Sequence, residues 1–191
     1  MLDWLLDLYR PYVSRVVLIA SPAGAGEARR SAARGGDLPI DVEVQERPTG
    51  MLDAVLLAGE HVRRSAASRV WITWCDQIAI DPRTVARLDT TSRSRADAAI
   101  VMPVVTRQSP YIHFARDAGG RIVRVLHRRE GDAMPEVGEG DAGLFSLSRR
   151  AFLERLPAFA ASPELGASTG ERNLLPFIPW IARTEDVRSE E

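Results

Sequence analysis

Short apolar runs alternate with helical repeats over the first 105 residues, and this alternation limits the chain to few folds. The segments Arg15–Ser21, Arg69–Cys75 and Ala98–Val105 are rich in β-branched and other apolar residues, which is typical of buried strands. Between them, apolar positions recur every three or four residues, as in amphipathic helices. We therefore predict an α/β, Rossmann-like fold with a mostly parallel, mixed sheet flanked by helices.

The other predicted elements follow from the same periodicities. Before residue 105 we expect helices over 2–12, 26–34, 50–64 and 82–88, and a strand over 41–45. After residue 105 the pattern changes, and two strands around the turn Asp117–Gly120 predict a β-hairpin in an insertion near 106–142. The remaining expectations are a charged, Gly-rich loop over 128–141, a strand over 143–147, a helix over 148–156 and a turn-rich segment over 170–181.

Composition is that of a globular protein, and it excludes several functional classes. The 191 residues are 45% apolar and 27% charged, which predicts one domain over 1–182 and a charged tail over 183–191. A net charge of −1 gives no electrostatic footprint for nucleic acid or a membrane surface. No stretch of about 20 apolar residues is present, and Asp3 stands where a signal peptide is basic, so we expect a cytoplasmic protein.

The basic and sulfur-containing residues restrict the available chemistry further. All 25 basic residues are arginine, so any cationic role toward a phosphate falls to Arg rather than Lys. Cys75 is the single cysteine, which excludes an internal disulfide framework and a multi-Cys zinc site.

Polar residues follow the predicted strands where α/β folds bind ligands, at the carboxyl ends. Asp76 comes directly after an apolar strand, and a carboxylate there either holds Mg²⁺ against substrate phosphates or caps the following turn. Gln45 ends the preceding strand and has an amide suited to reading a base edge. Gly50 begins the next helix and lets backbone approach a ligand closely, although a plain polar loop has the same composition.

Six segments resemble, in consistent order from residue 1 to about 182, motifs of the nucleotidyltransferase superfamily that makes NDP-sugars and related activated molecules. They are Leu2–Leu8, Gln45–Val55, Trp74–Ile78, Arg121–His127, Asp141–Phe145 and Gly170–Leu175. Members of this superfamily include sugar-1-phosphate nucleotidylyltransferases and the molybdenum cofactor guanylyltransferase.

The resemblance implies transfer of NMP from a nucleoside triphosphate to a sugar phosphate or similar phosphorylated acceptor, with release of pyrophosphate and with Mg²⁺ as cofactor. Asp76 corresponds to the catalytic aspartate that binds Mg²⁺ in the family. The nucleotide-binding residues implied are Gln45, Gly50 and Met51. The acceptor-binding residues implied are His127, Asp141, Gly143 and Glu171.

The chain also departs from the family. Met51 stands where Thr is usual, His127 where Glu is frequent, and Asp141 where Asn is frequent. Thr184–Val187 only weakly resembles the last strand, which supplies a second metal ligand in the family. The family's opening strand and its Gly-rich phosphate-binding loop have no counterpart in these residues. We therefore expect the 191 residues alone not to release pyrophosphate at a rate typical of enzymes.

The opening strand is central in the family's sheet, so its loss would leave backbone groups of two neighbouring strands unpaired, at about 1–3 kcal/mol for each buried group. Two interpretations remain open. The chain start is misplaced or truncated, or the protein is a degenerate, non-catalytic binding or interaction module that repairs its sheet with a partner strand. In either case we expect an apolar seam beside Arg15–Ala20 and Arg69–Trp74, with aggregation or an obligate oligomer as the result.

Overall fold

The structure is a computed structural model that describes residues 1–77, 79–162 and 165–191. The helices are α1 (Leu2–Tyr9), α2 (Ala25–Ala33), α3 (Met51–Leu56), α4 (Gly59–Arg64), α5 (Pro82–Ser94), α6 (Leu156–Ala160) and α7 (Phe177–Ile181). The strands are β1 (Val16–Ala20), β2 (Ile40–Val44), β3 (Arg69–Thr73), β4 (Ile100–Gln108), β5 (Ile112–Arg116), β6 (Ile122–His127), β7 (Val137–Asp141), β8 (Leu144–Ser148) and β9 (Val187–Glu190). Ile78, the last residue of the predicted motif Trp74–Ile78, lies outside the described residues.

The strands form a mixed architecture. Five of them make one sheet in the order β3-β8-β4-β7, with β9 pairing with β4. Within it, β4 and β9 are parallel, while β3–β8, β4–β8 and β4–β7 are antiparallel. β1 and β2 form a separate parallel pair, and β5 and β6 form the predicted antiparallel hairpin. The predicted α/β fold with a mixed sheet flanked by helices is confirmed, although most of the observed pairings are antiparallel.

Apolar residues on the two faces of β3 divide the core in two. Val70 and Ile72 belong to the larger cluster, which includes residues of α3, α4, α6 and α7. Trp71, between them in sequence, packs in a second cluster with residues of α1 and α5. Because successive side chains of a strand point to opposite faces, β3 separates the two clusters.

The observed boundaries differ from the predictions at several places. The predicted helix over 148–156 is a π-helical segment over Ala151–Arg155 that continues as α6 to Ala160. The predicted helix over 50–64 is divided into α3 and α4 at Leu57–Ala58, and α5 continues to Ser94 instead of ending at Leu88. The predicted loop over 128–141 contains a 3₁₀ turn and β7, which pairs with β4. The expected tail over 183–191 contains β9, which pairs with the buried start of β4. Pairing through backbone hydrogen bonds does not require apolar side chains. Because the sequences of β7 and β9 are polar, they carry no apolar pattern from which either strand could be predicted.

β1 and β3 each keep one open edge. Among the described residues, β1 pairs only with β2 and β3 only with β8. The other edges of both strands border one cavity of about 1350 Å³. All five residues of β1 are only half-buried, although they are apolar. This apolar seam lies beside the two segments where the sequence predicts it.

In the part of the chain that the structure describes, every helix falls short of the length and apolarity needed to cross a membrane.

Candidate functional site

The large cavity is lined by most of the predicted site residues. Those that line it are Met51, Asp76, His127, Asp141 and Glu171. Three predicted residues do not line it, namely Gln45, Gly50 and Gly143. Segments separated by up to 120 residues in sequence therefore meet at a single concave surface, as a ligand site requires.

Asp76 is an exposed carboxylate that follows β3 by three residues. Among residues 1–77, 79–162 and 165–191, no group donates a hydrogen bond to it, and no Arg or His forms an ion pair with it. A cap onto the amide of residue 78 would fall outside the described residues, so the alternative role as a turn cap is left open. The available lone pairs of Asp76 face a cavity, which suits a carboxylate that binds a cation or a ligand donor.

Gln45 holds the loop that precedes α3. Its side-chain amide donates to the Gly50 carbonyl at 3.0 Å and to Thr49 Oγ1 at 3.4 Å. Gly50 has φ of 121°, and a Cβ there would lie 2.5 Å from the backbone nitrogen and oxygen of Arg172. The loop and the segment around Arg172 are also joined by Arg172 N–H donating to Thr49 O at 2.9 Å. Gln45 thus shapes the loop, and its reading of a base remains a prediction.

Asp141 and Gly143 form a tight turn against the segment that carries Asp76. Asp141 Oδ1 accepts a hydrogen bond from Gly143 N–H at 2.8 Å. Gly143 has φ of 72°, and a Cβ on it would lie 2.6 Å from Cδ of Gln77, the residue after Asp76. Burial raises the pKa of Asp141, while the hydrogen bond from Gly143 N–H and, less strongly, the positive charge of the nearby Arg107 oppose this rise. The turn therefore packs directly against Gln77, the residue that follows the predicted metal residue in sequence.

His127 and Glu171 are each engaged with a neighbour. The His127 ring packs edge-on against Tyr111, with ring centroids 5.0 Å apart. Arg129 donates to Glu171 Oε1 at 3.1 Å, so the Glu171 carboxylate is already paired with a cation. Both residues line the cavity.

Glu130 is a structural residue of the site that sequence reasoning missed. Its carboxylate accepts hydrogen bonds from Thr169 Oγ1 at 2.6 Å, from Ser168 N–H at 2.9 Å and from Asn173 Nδ2 at 3.0 Å. The Thr169 hydroxyl is the main reason that the pKa of Glu130 falls to about 2. Glu130 lies in a charge run, and its partners are some 40 residues distant, so no local pattern could have found it.

Arg107 is a second residue that the sequence did not single out. It is exposed, it lines the cavity near Asp141, and among the described residues it forms no ion pair. In a chain without lysine, such an arginine is a suitable cation for a phosphate.

Comparison with known proteins shows the family of this chain. The sequence profile of the MobA-like NTP transferase domain matches residues 1–161. The chain belongs to the MobA-like NTP transferase family. No curated protein sequence matches it.

Solved structures with a similar fold support the fold of this NTP transferase domain independently of the sequence profile. HddC from Yersinia pseudotuberculosis is similar with a TM-score of 0.63 and 16% identity, covering 98% of this chain and 72% of HddC. The structure of HddC complexed with GMP-PN gives a TM-score of 0.65 at 16% identity, covering 99% of this chain and 75% of HddC. At this identity the likeness concerns the fold alone.

A divalent metal fits this NTP transferase domain only in part. In the described ranges, no group of three or more His, Cys, Asp or Glu residues could hold a metal ion. Mg²⁺, however, needs only one or two protein carboxylates when substrate phosphates complete its coordination. The exposed carboxylate of Asp76, without a protein donor among the described residues, is compatible with that mode of binding.

Proposed function

We propose that this domain binds a nucleoside triphosphate and a phosphorylated small molecule, such as a sugar phosphate, for nucleotidyl transfer with release of pyrophosphate. The observation that carries the proposal is the meeting of Met51, Asp76, His127, Asp141 and Glu171 at one cavity. Family membership supports the nucleotide, and the fold shared with HddC, whose structure was solved with GMP-PN, supports it further.

In the proposed reaction, an oxygen of the acceptor phosphate attacks the α-phosphorus of the triphosphate. A new P–O bond forms there, the bond to the bridging α–β oxygen breaks, and pyrophosphate leaves with the electron pair. Such a step needs little covalent help from the protein, so positioning and charge stabilisation account for most of the rate. The loop between Gln45 and Met51 positions the base, and the wall of His127, Asp141 and Glu171 positions the acceptor.

Charge control falls to the few ionic groups of the cavity. Arg107 is placed to neutralise a phosphate of the acceptor or of the leaving pyrophosphate, since it is exposed at the wall near Asp141. Asp76 would hold Mg²⁺, which when bound supplies neutralisation of the triphosphate charge. The nearby turn of Asp141 and Gly143 keeps Gln77 in place, and thereby orients the loop that carries Asp76.

Asp76→Asn tests the proposal. We expect the variant to melt at the same temperature as the wild-type protein without ligand, because the Asp76 carboxylate has no described protein donor to lose. We expect binding of the Mg·NTP complexes to weaken at least about tenfold, because loss even of groups that support metal ligands costs 10–100-fold. Titration calorimetry with each of the four NTPs, with Mg²⁺ and with EDTA, measures the binding, and differential scanning calorimetry without ligand measures the melting temperature.

Asp81→Ala is the matched control. Asp81 caps α5 by accepting from Arg83 N–H at 2.8 Å, and its loss should cost about 1 kcal/mol, or about 2–4 °C in melting temperature. It should leave nucleotide binding intact. If Asp76→Asn instead melts lower and binds Mg·NTP like the wild-type protein, Asp76 is a structural cap and the metal assignment fails. Pyrophosphate release with a panel of sugar phosphates then tests the transfer step in the full-length protein.

A second function, non-catalytic binding of a sugar nucleotide or a protein, is favoured by the open edges of β1 and β3. An enzyme that positions reactants closely requires a rigid site, and two unpaired edges beside Asp76 do not favour rigidity. Binding of a sugar nucleotide without pyrophosphate release by the full-length protein would support this second function.

A further inference from the structure

We propose that Arg107 and His127 together form an oxyanion site, and that this site binds the phosphate of the acceptor rather than the phosphates of the nucleotide. The identity of the acceptor rests on the proposed function. The oxyanion site itself does not, because it can be tested with a simple phosphate and without any transfer reaction.

The first argument is that both side chains border the cavity without a polar partner. Arg107 is exposed, His127 is half-buried, and both line the cavity. Among the described residues, the Arg107 guanidinium donates no hydrogen bond and forms no ion pair, and the nitrogens of the His127 ring have no hydrogen-bond partner. Their N–H groups are therefore available to a ligand.

This state distinguishes Arg107 from the other arginines at the same cavity. Within the part of the chain that the structure describes, those arginines are all engaged with protein groups. Three of them pair with an acid and one donates to Ser146, namely Arg15, Arg93, Arg129 and Arg69 in that order. Arg107 is thus the arginine of the cavity whose charge is left for a ligand.

The two groups lie near one point although they come from different strands. Arg107 belongs to β4 and His127 ends β6. Burial raises the pKa of Asp141, and besides the hydrogen bond from Gly143 N–H the positive charges of Arg107 and His127 oppose this rise. Both cations are therefore close to the same carboxyl group, and a small anion beside it can meet both of them.

The second argument is that the neighbouring carboxylates of the cavity are occupied by donors. Asp132 accepts hydrogen bonds from Arg124 at 2.9 Å and from a backbone N–H at 2.8 Å. Glu171 is paired with Arg129, and both oxygens of Glu130 accept hydrogen bonds from protein groups. A ligand therefore meets free donors rather than free acceptors here, which suits an oxyanion better than a hydroxyl or amino group.

The third argument is the match between these donors and a phosphate monoester. Such a phosphate has three terminal oxygens, and the planar fork of a guanidinium donates to two oxygens of one phosphate at a time. The ring of His127 has at least one N–H in either of its neutral forms and can donate to the third oxygen. All basic residues other than histidine are arginine in this chain, so such a fork is its available means of binding phosphate.

Charge favours the acceptor over the nucleotide as the source of the phosphate. In the proposed function the nucleoside triphosphate binds as its Mg²⁺ complex, with Asp76 holding the metal ion. The acceptor phosphate brings no metal ion of its own, so the protein has to balance its charge. Arg107 and His127 are the groups of the cavity that can do so, and we assign them to the acceptor.

An NMR titration of the full-length protein with methyl phosphate tests the proposal. Methyl phosphate is the smallest phosphate monoester, so it reports on the oxyanion site without the rest of an acceptor. We expect saturable shifts of the Arg107 Nε–H signal and of the His127 ring signals. Arg107→Gln should weaken the affinity for methyl phosphate at least about tenfold, because hydrogen bonds between charged groups are lost. It should melt like the wild-type protein, because Arg107 has no described partner to lose.

Arg29→Gln is the matched control. Arg29 is an exposed arginine of α2 that does not line the cavity and has no ion pair among the described residues, so the variant makes the same change of net charge elsewhere. We expect an unchanged affinity. His127→Gln keeps a donor and loses the positive charge, so it should weaken binding less than Arg107→Gln. If His127→Gln melts lower because its packing against Tyr111 is lost, the two arginine variants decide.

Competition separates the two sources of phosphate. Each of the four Mg·NTP complexes, and then Mg·pyrophosphate, is added to the protein saturated with methyl phosphate. We expect the Arg107 signal to keep its bound position. Displacement of methyl phosphate by Mg·NTP or by Mg·pyrophosphate would assign Arg107 to the nucleotide and overturn the inference.

Two further results would overturn it. Equal affinities of the wild-type protein and Arg107→Gln would show that Arg107 does not bind the phosphate. Equal losses in Arg107→Gln and Arg29→Gln would indicate general attraction by net charge instead of a site. Neither titration needs turnover, so a protein that binds methyl phosphate at Arg107 and releases no pyrophosphate supports this inference while contradicting the transfer reaction.

Discussion

At the scale of the residue, the candidate site depends on groups that hold its loops as much as on groups that face the cavity. Glu130 joins three residues of the segment 168–173, and Gln45 closes the loop before α3. The Glu130 carboxylate and the Gln45 amide can affect ligand binding without contacting a ligand. Their loss would let the walls of the cavity move, and a misplacement of about 1 Å can cost a factor of 100 in rate.

Glu130→Gln should make stability depend less on pH. The pKa of Glu130 is about 2 in the folded protein, below an unfolded value of about 4.3, so its stabilisation is present above about pH 4.3 and is lost as the pH falls toward 2. We expect the variant to melt below the wild-type protein at pH 6, with the difference shrinking between about pH 4 and pH 2. Thermal unfolding followed by circular dichroism measures this.

Glu154→Gln is the control for that experiment. Glu154 is exposed and pairs with Arg150 at 3.5 Å on the next helical turn, an interaction worth about 0.3–0.5 kcal/mol. Its effect should be small at every pH. A melting difference for Glu130→Gln that stays constant from pH 6 to pH 2 would contradict the proposed role of the Glu130 charge.

Two of the residues that sequence reasoning found, Gln45 and Asp76, follow a strand closely. Asp76 could be predicted because ligands of α/β folds lie at the carboxyl ends of strands, and it does line the cavity. Asp141 and Glu171 came from the resemblance to a family instead. Glu130 could not be found in either way, because its function is set by hydrogen bonds to residues 38–43 positions away.

At the scale of the element, the loop before α3 depends on one backbone conformation. Gly50→Ala should destabilise the protein by at least about 1–3 kcal/mol, since φ of 121° strains any other residue and the added Cβ would meet Arg172 backbone at 2.5 Å. Gly26→Ala is the control. Gly26 lies in α2, where a Cβ would meet only the tip of Arg30 at 3.6 Å, so we expect a neutral or stabilising effect of up to about 1 kcal/mol. Urea unfolding of both variants provides the comparison, and similar stabilities would refute the strain argument.

Elements with apolar periodicity were predictable, and elements without it were not. The segments β1, β3 and α2 appear within two residues of their predicted bounds because each carries a clear pattern. β7, with the sequence Val-Gly-Glu-Gly-Asp, has one apolar residue, and its pairing with β4 is set by the tertiary fold. The break between α3 and α4 was not predicted, because the helical repeat of apolar residues continues through it.

At the scale of the whole molecule, the fold class followed from the alternation of elements, but the strand pairing did not. A βαβ pattern favours parallel pairing, whereas β7, at the end of the insertion, and β8, which follows it, both pair antiparallel with β4. No local sequence pattern predicts this antiparallel pairing, because it depends on contacts between segments that are distant in sequence. The seam between β1 and β3 was predicted only through the resemblance to a family, because the central opening strand of that family has no counterpart in these residues.

The open seam should govern how the isolated 191-residue chain behaves in solution. Unpaired, apolar strand edges pair readily with other chains, so we expect concentration-dependent self-association at micromolar protein, measured by sedimentation velocity. Val17→Lys places a charge at the edge of β1 and should shift the chain toward monomer. Val123→Lys makes the same change on the hairpin, where Val123 is 45% exposed and distant from the seam in sequence, and should leave association unchanged. A stable monomer with one cooperative unfolding transition in the wild-type chain would show that the edges of β1 and β3 do not attract other strands.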